Sequence, residues 1–205
     1  MDIYLTPANT AEQITQIKTL YMEAFPKAER KPFSLIIEKS RDGSADILSI
    51  ESQTTESQTI KSQATESRTK FAGEAILAKD GDLVLLDYFA IAPGMRNCGA
   101  GSRALELLLQ RYQKYRFFLE IESTVHAAPD SDRRLRRKGF YLRNGMACMD
   151  YLVSLWGVEM EILTNVCKVS YQEYYSLYEH LYGSRIKERI RLLENTHASH
   201  IPHHQ

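Results

Sequence analysis

An apolar, β-rich run ends at Ile91, Pro93-Gly94 turns the chain, and Arg96-Asn97-Cys98-Gly99-Ala100-Gly101-Ser102 then leads into a leucine-rich helical pattern. A strand, a glycine-bearing loop and a helix N-terminus in that order can cradle phosphate. Glycines let backbone N–H groups converge on an anion, and the helix dipole adds about half a positive charge at that end.

Two phosphate-binding patterns fit these residues. Gly99-Ala100-Gly101-Ser102-Arg103-Ala104 satisfies GxGxxG/A, the dinucleotide fingerprint, and Glu120 follows about twenty residues on. Against it, Ala92 to Cys98 separate the strand from the first glycine, and no repeating βα pattern follows. A dinucleotide-dependent oxidoreductase therefore stays as the lesser alternative. A Walker loop is excluded, because no Gly-Lys-Ser/Thr is present. The second pattern is R/Q-x-x-G-x-G/A, matched by Arg96, Gly99 and Gly101.

On that pattern the chain resembles the GNAT superfamily of acyl-CoA N-acyltransferases, over about residues 1–163. The likeness is most specific in FAIAPGMRNCGAGS and in a second segment, RRLRRKGFYLRNG, where Tyr141 falls on the family's tyrosine. The resemblance implies acetyl-CoA as acyl donor, no metal, and no covalent enzyme intermediate. It implies a mixed, mostly antiparallel twisted sheet, with the donor's pantetheine arm between splayed parallel strands at 83–91 and 117–122. The main chain of Phe89, Ala90 and Ile91 would then polarise the thioester. Asn97, Cys98, Gly99, Ala100, Gly101 and Ser102 would wrap the diphosphate, and Arg96 would help to form the loop. Since backbone makes those contacts, Cys98 reads as a bystander rather than a nucleophile. A non-catalytic acyl-CoA-binding module is the alternative.

Such a transfer has two proton problems. A departing thiolate needs a donor, and a tyrosine hydroxyl with pKa near ~10 can serve one whose conjugate acid is near ~8.5; Tyr141 is the candidate. A lysine-like amine at pH 7 lies about 3.4 units below half-deprotonation, roughly 4.6 kcal/mol, which a carboxylate can share. Asp87 is the first candidate base: the resemblance implies it, since polyamine-acetylating members of the family have a carboxylate in a similar strand, and by alternation it shares a face with Phe89 and Ile91. Glu122 is the second. Either could instead satisfy a buried polar network or bind the substrate ammonium.

The elements that must position these residues are legible in outline. A strand over 1–6, a helix over 11–24 ended by Pro26, a short helix opened by Pro32-Phe33 and a strand at 46–50 come first. Strands at 71–78 and 83–91 flank an Asp-Gly turn and read as a hairpin. A helix over 102–115, a strand over 117–122 and a helix ending at Asn144-Gly145 follow, then strands at 146–155 and 158–163. Ser170-Tyr171-Gln172-Glu173 is a capping box that opens a tyrosine-rich helix ending at Gly183. Arg133, Arg134, Arg136, Arg137 and Lys138 form a basic run that reads as a solvated face.

Residues 51–69, ESQTTESQTIKSQATESRT, are low-complexity and read as an expanded hairpin loop or solvated β-ribbon. The expected class is α/β (α+β), with an acyltransferase domain at 1–165 and a helical extension with a histidine-containing tail at 166–205. Among 205 residues, 26 basic balance 26 acidic side chains, so no general attraction to nucleic acid or membrane is expected. Three cysteines without CxxC spacing argue for a reducing cytoplasm. The expected partner is a small-molecule or peptide amine, with a homodimer possible in principle.

Overall fold

The computed structural model describes residues 2–54 and 68–193, and among them eight strands and five α-helices form a mixed α/β fold. They divide into two units, Met1–Lys79 with Leu85–Gln113, and Asp80–Val84 with Lys114–Gln205.

In the first unit, β1 (Asp2–Pro7), β2 (Ala45–Thr54) and β3 (Arg68–Asp80) pair antiparallel in that order, and β4 (Leu83–Ile91) follows β3. That pairing is not the doubly wound parallel arrangement that a dinucleotide fingerprint needs. Helix α1 (Ala11–Ala24) starts at Thr10, whose hydroxyl accepts the Gln13 N–H while the Gln13 side chain returns to the Thr10 N–H. This reciprocal cap satisfies two otherwise orphaned donors. The helix buries Ile17, Leu20 and Tyr21; Ile17 and Tyr21 share a core with Ile36 of α2 (Phe33–Arg41), and Ile47, Ile76 and Tyr88 from the strands complete it. Helix α3 (Ala100–Arg111) sets Ala100 and Ala104 in a second core with Ile3, Ile50, Ala72 and Met95.

The β2–β3 register shifts between Ile50 and Glu51, and the irregularity lies beside Gly73. A Cβ at Gly73 would stand 2.3 Å from the Ala90 carbonyl oxygen. Backbone cannot move aside as a flexible side chain can, so Gly73→Ala is expected to cost about 2–3 kcal/mol. Urea unfolding measures this, and an unchanged midpoint would contradict it.

The second unit orders its strands β5 (Arg116–Glu122), β7 (Val158–Thr164), β6 (Ala147–Leu155) and β8 (Ile190–Leu193), each pair antiparallel. Trp156 and Gly157, both at positive φ, make the two-residue turn between β6 and β7. Helix α4 (Ser131–Arg143) precedes β6, and α5 (Tyr171–Tyr182) carries the Ser170 capping box and buries Tyr174, Leu177, Tyr178 and Leu181. Arg116 fastens α5 by pairing with both Asp82 and Glu173, at 2.7 and 2.6 Å.

The region expected to be a helical extension thus also supplies a strand, β8. At the base of the low-complexity segment Gln53 pairs with Thr69 and Thr54 with Arg68, as a β-ribbon would. Its remainder, 55–67, lies outside the described residues, as do the tail histidines. No helix among the described residues is long and apolar enough to cross a membrane.

Candidate active site

The first unit brings together Asp87, Phe89 to Ile91 and the whole loop from Arg96 to Ser102. Ala90 is buried, while Asp87, Phe89 and Ile91 are each half-buried, as alternation along one face of β4 requires. The chain leaves β4 through a single 3₁₀ turn, Pro93–Met95. Arg96 then reaches back, its Nε–H donating to the Ile91 carbonyl at 2.9 Å. Asn97 and Gly99 adopt φ of 61° and 85°, the left-handed region that asparagine and glycine tolerate best. A Cβ on Gly99 would meet nothing within 4 Å, so the loop is open on that side. Helix α3 begins without a side-chain cap, which leaves its first-turn N–H groups directed along the axis. The Cys98 thiol donates to the Met95 carbonyl at 3.0 Å.

Asp87 does not stand alone. The Lys31 ammonium lies 2.5 Å from its carboxylate, with the two side chains 14% and 10% exposed. The segment carrying Lys31 is tied down around this pair. Tyr88 Oη accepts the Lys31 N–H at 3.1 Å and donates to the Glu29 carbonyl at 3.0 Å, while Tyr21 Oη donates to the Lys31 carbonyl at 2.9 Å. The ammonium also sits 5.7 Å from the Tyr88 ring centre. Nothing in the local sequence around Lys31 signals this partner, which comes from 56 residues away.

In the second unit Glu122 is buried and surrounded by cations. Arg137 pairs with it directly, and Arg133 and Arg134 lie at 3.8 and 3.9 Å. Of the basic run of α4, Arg133 and Arg136 are exposed, as a solvated face requires, while Arg133, Arg134, Arg137 and Lys138 also form ion pairs with acidic groups. Arg133 and Arg134 also pair with Asp130, at 2.7 and 2.8 Å, and Lys138 pairs with Glu161. Burial works to raise the Glu161 carboxyl, but Lys138 and the Thr124 N–H and hydroxyl outweigh it and hold it below its usual range.

Tyr141 lies one helical turn beyond Arg137, buried, with its ring 5.1 Å from that of Phe140. Burial pushes its hydroxyl up to about 12, with Arg137 pulling in the other direction. It keeps its proton at any ordinary pH.

Sequence reasoning missed Glu74. It is fully buried on β3, directly opposite Ser49 on β2, and neither side chain has a hydrogen-bond partner. Burial alone pushes the Glu74 carboxyl up to about 9, so it is neutral at pH 7. The signal was available: Glu74 is the one charge in Phe71 to Ala78, a run otherwise of apolar residues and glycine. Among the described residues no group of three histidine, cysteine or acidic side chains is placed to hold a metal ion.

No protein-family model matches the sequence, and no curated protein does. Solved structures do match. A protein described as a GNAT-family acetyltransferase from Bacteroides thetaiotaomicron superposes with a TM-score of 0.65 at 20% identity, over 89% of this chain and 99% of that one. An aminoglycoside 6'-N-acetyltransferase complexed with coenzyme A gives 0.55 at 12% identity, over 83% and 100%. A Bacillus subtilis acetyltransferase in complex with CoA gives 0.51 at 11%, over 81% and 98%.

Proposed function

We propose that this chain, which has the fold of the GNAT acetyltransferases, transfers the acetyl group of acetyl-CoA to a primary amine by direct attack in a ternary complex. The observation that carries this reading is the strapped loop before α3. Two left-handed residues, an uncapped helix start and an open side at Gly99 suit a diphosphate held by main-chain N–H groups. These residues fit CoA. The donor supplies an activated acyl thioester, and the protein supplies grip, orientation and proton handling.

The N–H groups from Asn97 to Ser102 hold the diphosphate, with Arg96 fixing the loop to the end of β4. The main chain of Phe89, Ala90 and Ile91 orients the acyl end. Asp87 is the preferred proton acceptor, since it faces one ammonium where Glu122 faces three guanidinium groups. Tyr141 holds a proton for the departing sulfur. From a hydroxyl near 12, full transfer to a thiolate near ~8.5 is uphill by about 3.5 units, so Tyr141 acts as a hydrogen-bond donor. Tyr141→Phe should then lower kcat by about 10–100-fold, the worth of one charge-assisted hydrogen bond, with little change in KM for the amine. An equal fall with an acyl donor whose leaving thiol is strongly acidic, so that the departing sulfur needs no proton, would argue for a packing role instead.

A second reading has its own observation: Asp87 and Glu122 both already hold cations, as they would in a module that binds acyl-CoA without turnover. Calorimetry with acetyl-CoA, followed by CoA release over a panel of amines, separates the two. Binding with turnover supports the enzyme, binding without turnover supports the module, and no binding removes both. Arg96→Ala is expected to weaken acetyl-CoA binding about tenfold, because the strap from loop to strand is a charge-assisted bond.

A further inference from the structure

We infer that Lys31 is an acetylation site of the chain's own making, an internal amine that takes the acetyl group from bound acetyl-CoA with Asp87 as its proton acceptor. The inference rests on the proposed function and adds a modification to it.

Within the first unit a primary amine is already held against the carboxylate best placed to act as base, at 2.5 Å. Asp87 shares a strand and, by alternation, a face with Phe89 and Ile91, about 7 Å along β4 for each pair of residues. That is the stretch proposed to orient the acyl end, and a lysine stem spans such a distance. Tyr21 and Tyr88 fix the Lys31 backbone from both sides, so the amine is positioned rather than wandering. Positioning of this kind turns a bimolecular encounter into an intramolecular one, which is where large rate gains arise.

The step balances without another reactant. The Lys31 ammonium gives one proton to the Asp87 carboxylate, and its lone pair forms a C–N bond to the thioester carbonyl carbon. The C–S bond breaks, the sulfur leaves with its electron pair, and a second proton from the nitrogen accompanies it as CoA thiol. The product is an uncharged amide on Lys31. Asp87 passes the proton it took to water and, no longer having an ion-pair partner, becomes available to an incoming ammonium, so the modification would convert the masked carboxylate into a working one.

The test incubates the full chain with acetyl-CoA and reads intact mass and modified peptides over time. One acetyl group on Lys31, at a rate per molecule independent of protein concentration, supports the inference. Lys31→Arg should abolish that label, and Asp87→Asn should slow it at least about 100-fold. Acetyl phosphate is the control donor, because it labels exposed lysines by simple chemistry. Equal labelling of Lys31 by acetyl phosphate overturns the inference, as does an unmodified Lys31 in a chain that binds acetyl-CoA and acetylates an added amine. The last outcome leaves the proposed function intact. Absence of acetyl-CoA binding overturns both.

Discussion

Asp87→Asn lowers kcat by about 10²–10⁴-fold, the range for removing a positioned general base, and is the largest effect on activity expected here. Asparagine keeps the shape and removes the proton acceptor. It also leaves the Lys31 ammonium, only 14% exposed, without its carboxylate, and breaking a pair at this depth costs about 3–5 kcal/mol. The two consequences must be separated. Lys31→Met combined with Asp87→Asn removes the stranded charge and should recover most of the stability, while activity stays low. If the double variant regains wild-type kcat along with its melting temperature, Asp87 is a structural partner of Lys31 and not the base.

Glu74→Gln is expected to stabilise the fold, and by more as pH rises. The folded carboxyl holds its proton to about 9 against an ordinary value of 4.5, so the native state binds more protons than the unfolded chain between those limits. Stability therefore falls as pH rises through that window, by up to about 1.4 kcal/mol per unit. At pH 7 the accumulated loss approaches about 3 kcal/mol, which glutamine avoids because it never ionises. Both forms bury an amide- or acid-sized polar group opposite Ser49, so that cost cancels in the comparison. Urea titrations of the two proteins should nearly coincide at pH 4.5 and diverge steadily towards pH 9. Parallel curves across the whole range would mean that Glu74 is hydrated or ion-paired in solution.

Local punctuation made much of this architecture readable before any coordinates. Pro26 follows the end of α1, Ser170 and Gly183 bracket α5, and the Asp-Gly turn precedes β4 where it was expected. Each of these boundaries is set by hydrogen bonds within a few residues, which is why sequence reveals them. Strand β8 escaped because four residues, Ile190–Leu193, carry too short a pattern, and its existence depends on pairing with β6 far back in the chain. The turn that leaves β4 at Pro93 and the helix that follows it were legible for the same local reason. What surrounds the two candidate bases was not. Lys31 meets Asp87 across 56 residues, and the arginines of α4 meet Glu122 across 11 to 15, so charge composition gave the wetted face of α4 but not the ion pairs it also makes. Glu74 fails differently: its residue type argues for exposure, while both neighbours on β3 argue for burial, and burial prevails.

The tether from Arg96 to the last carbonyl of β4 has a consequence for which donors can be used. It sets one end of a span at the loop and the other at the strand, with a single guanidinium as the peg between them. On the proposed reading this works as a gauge. A donor whose anionic anchor and reactive carbon are spaced to match engages both ends at once, and a shorter or longer carrier must give up one of them.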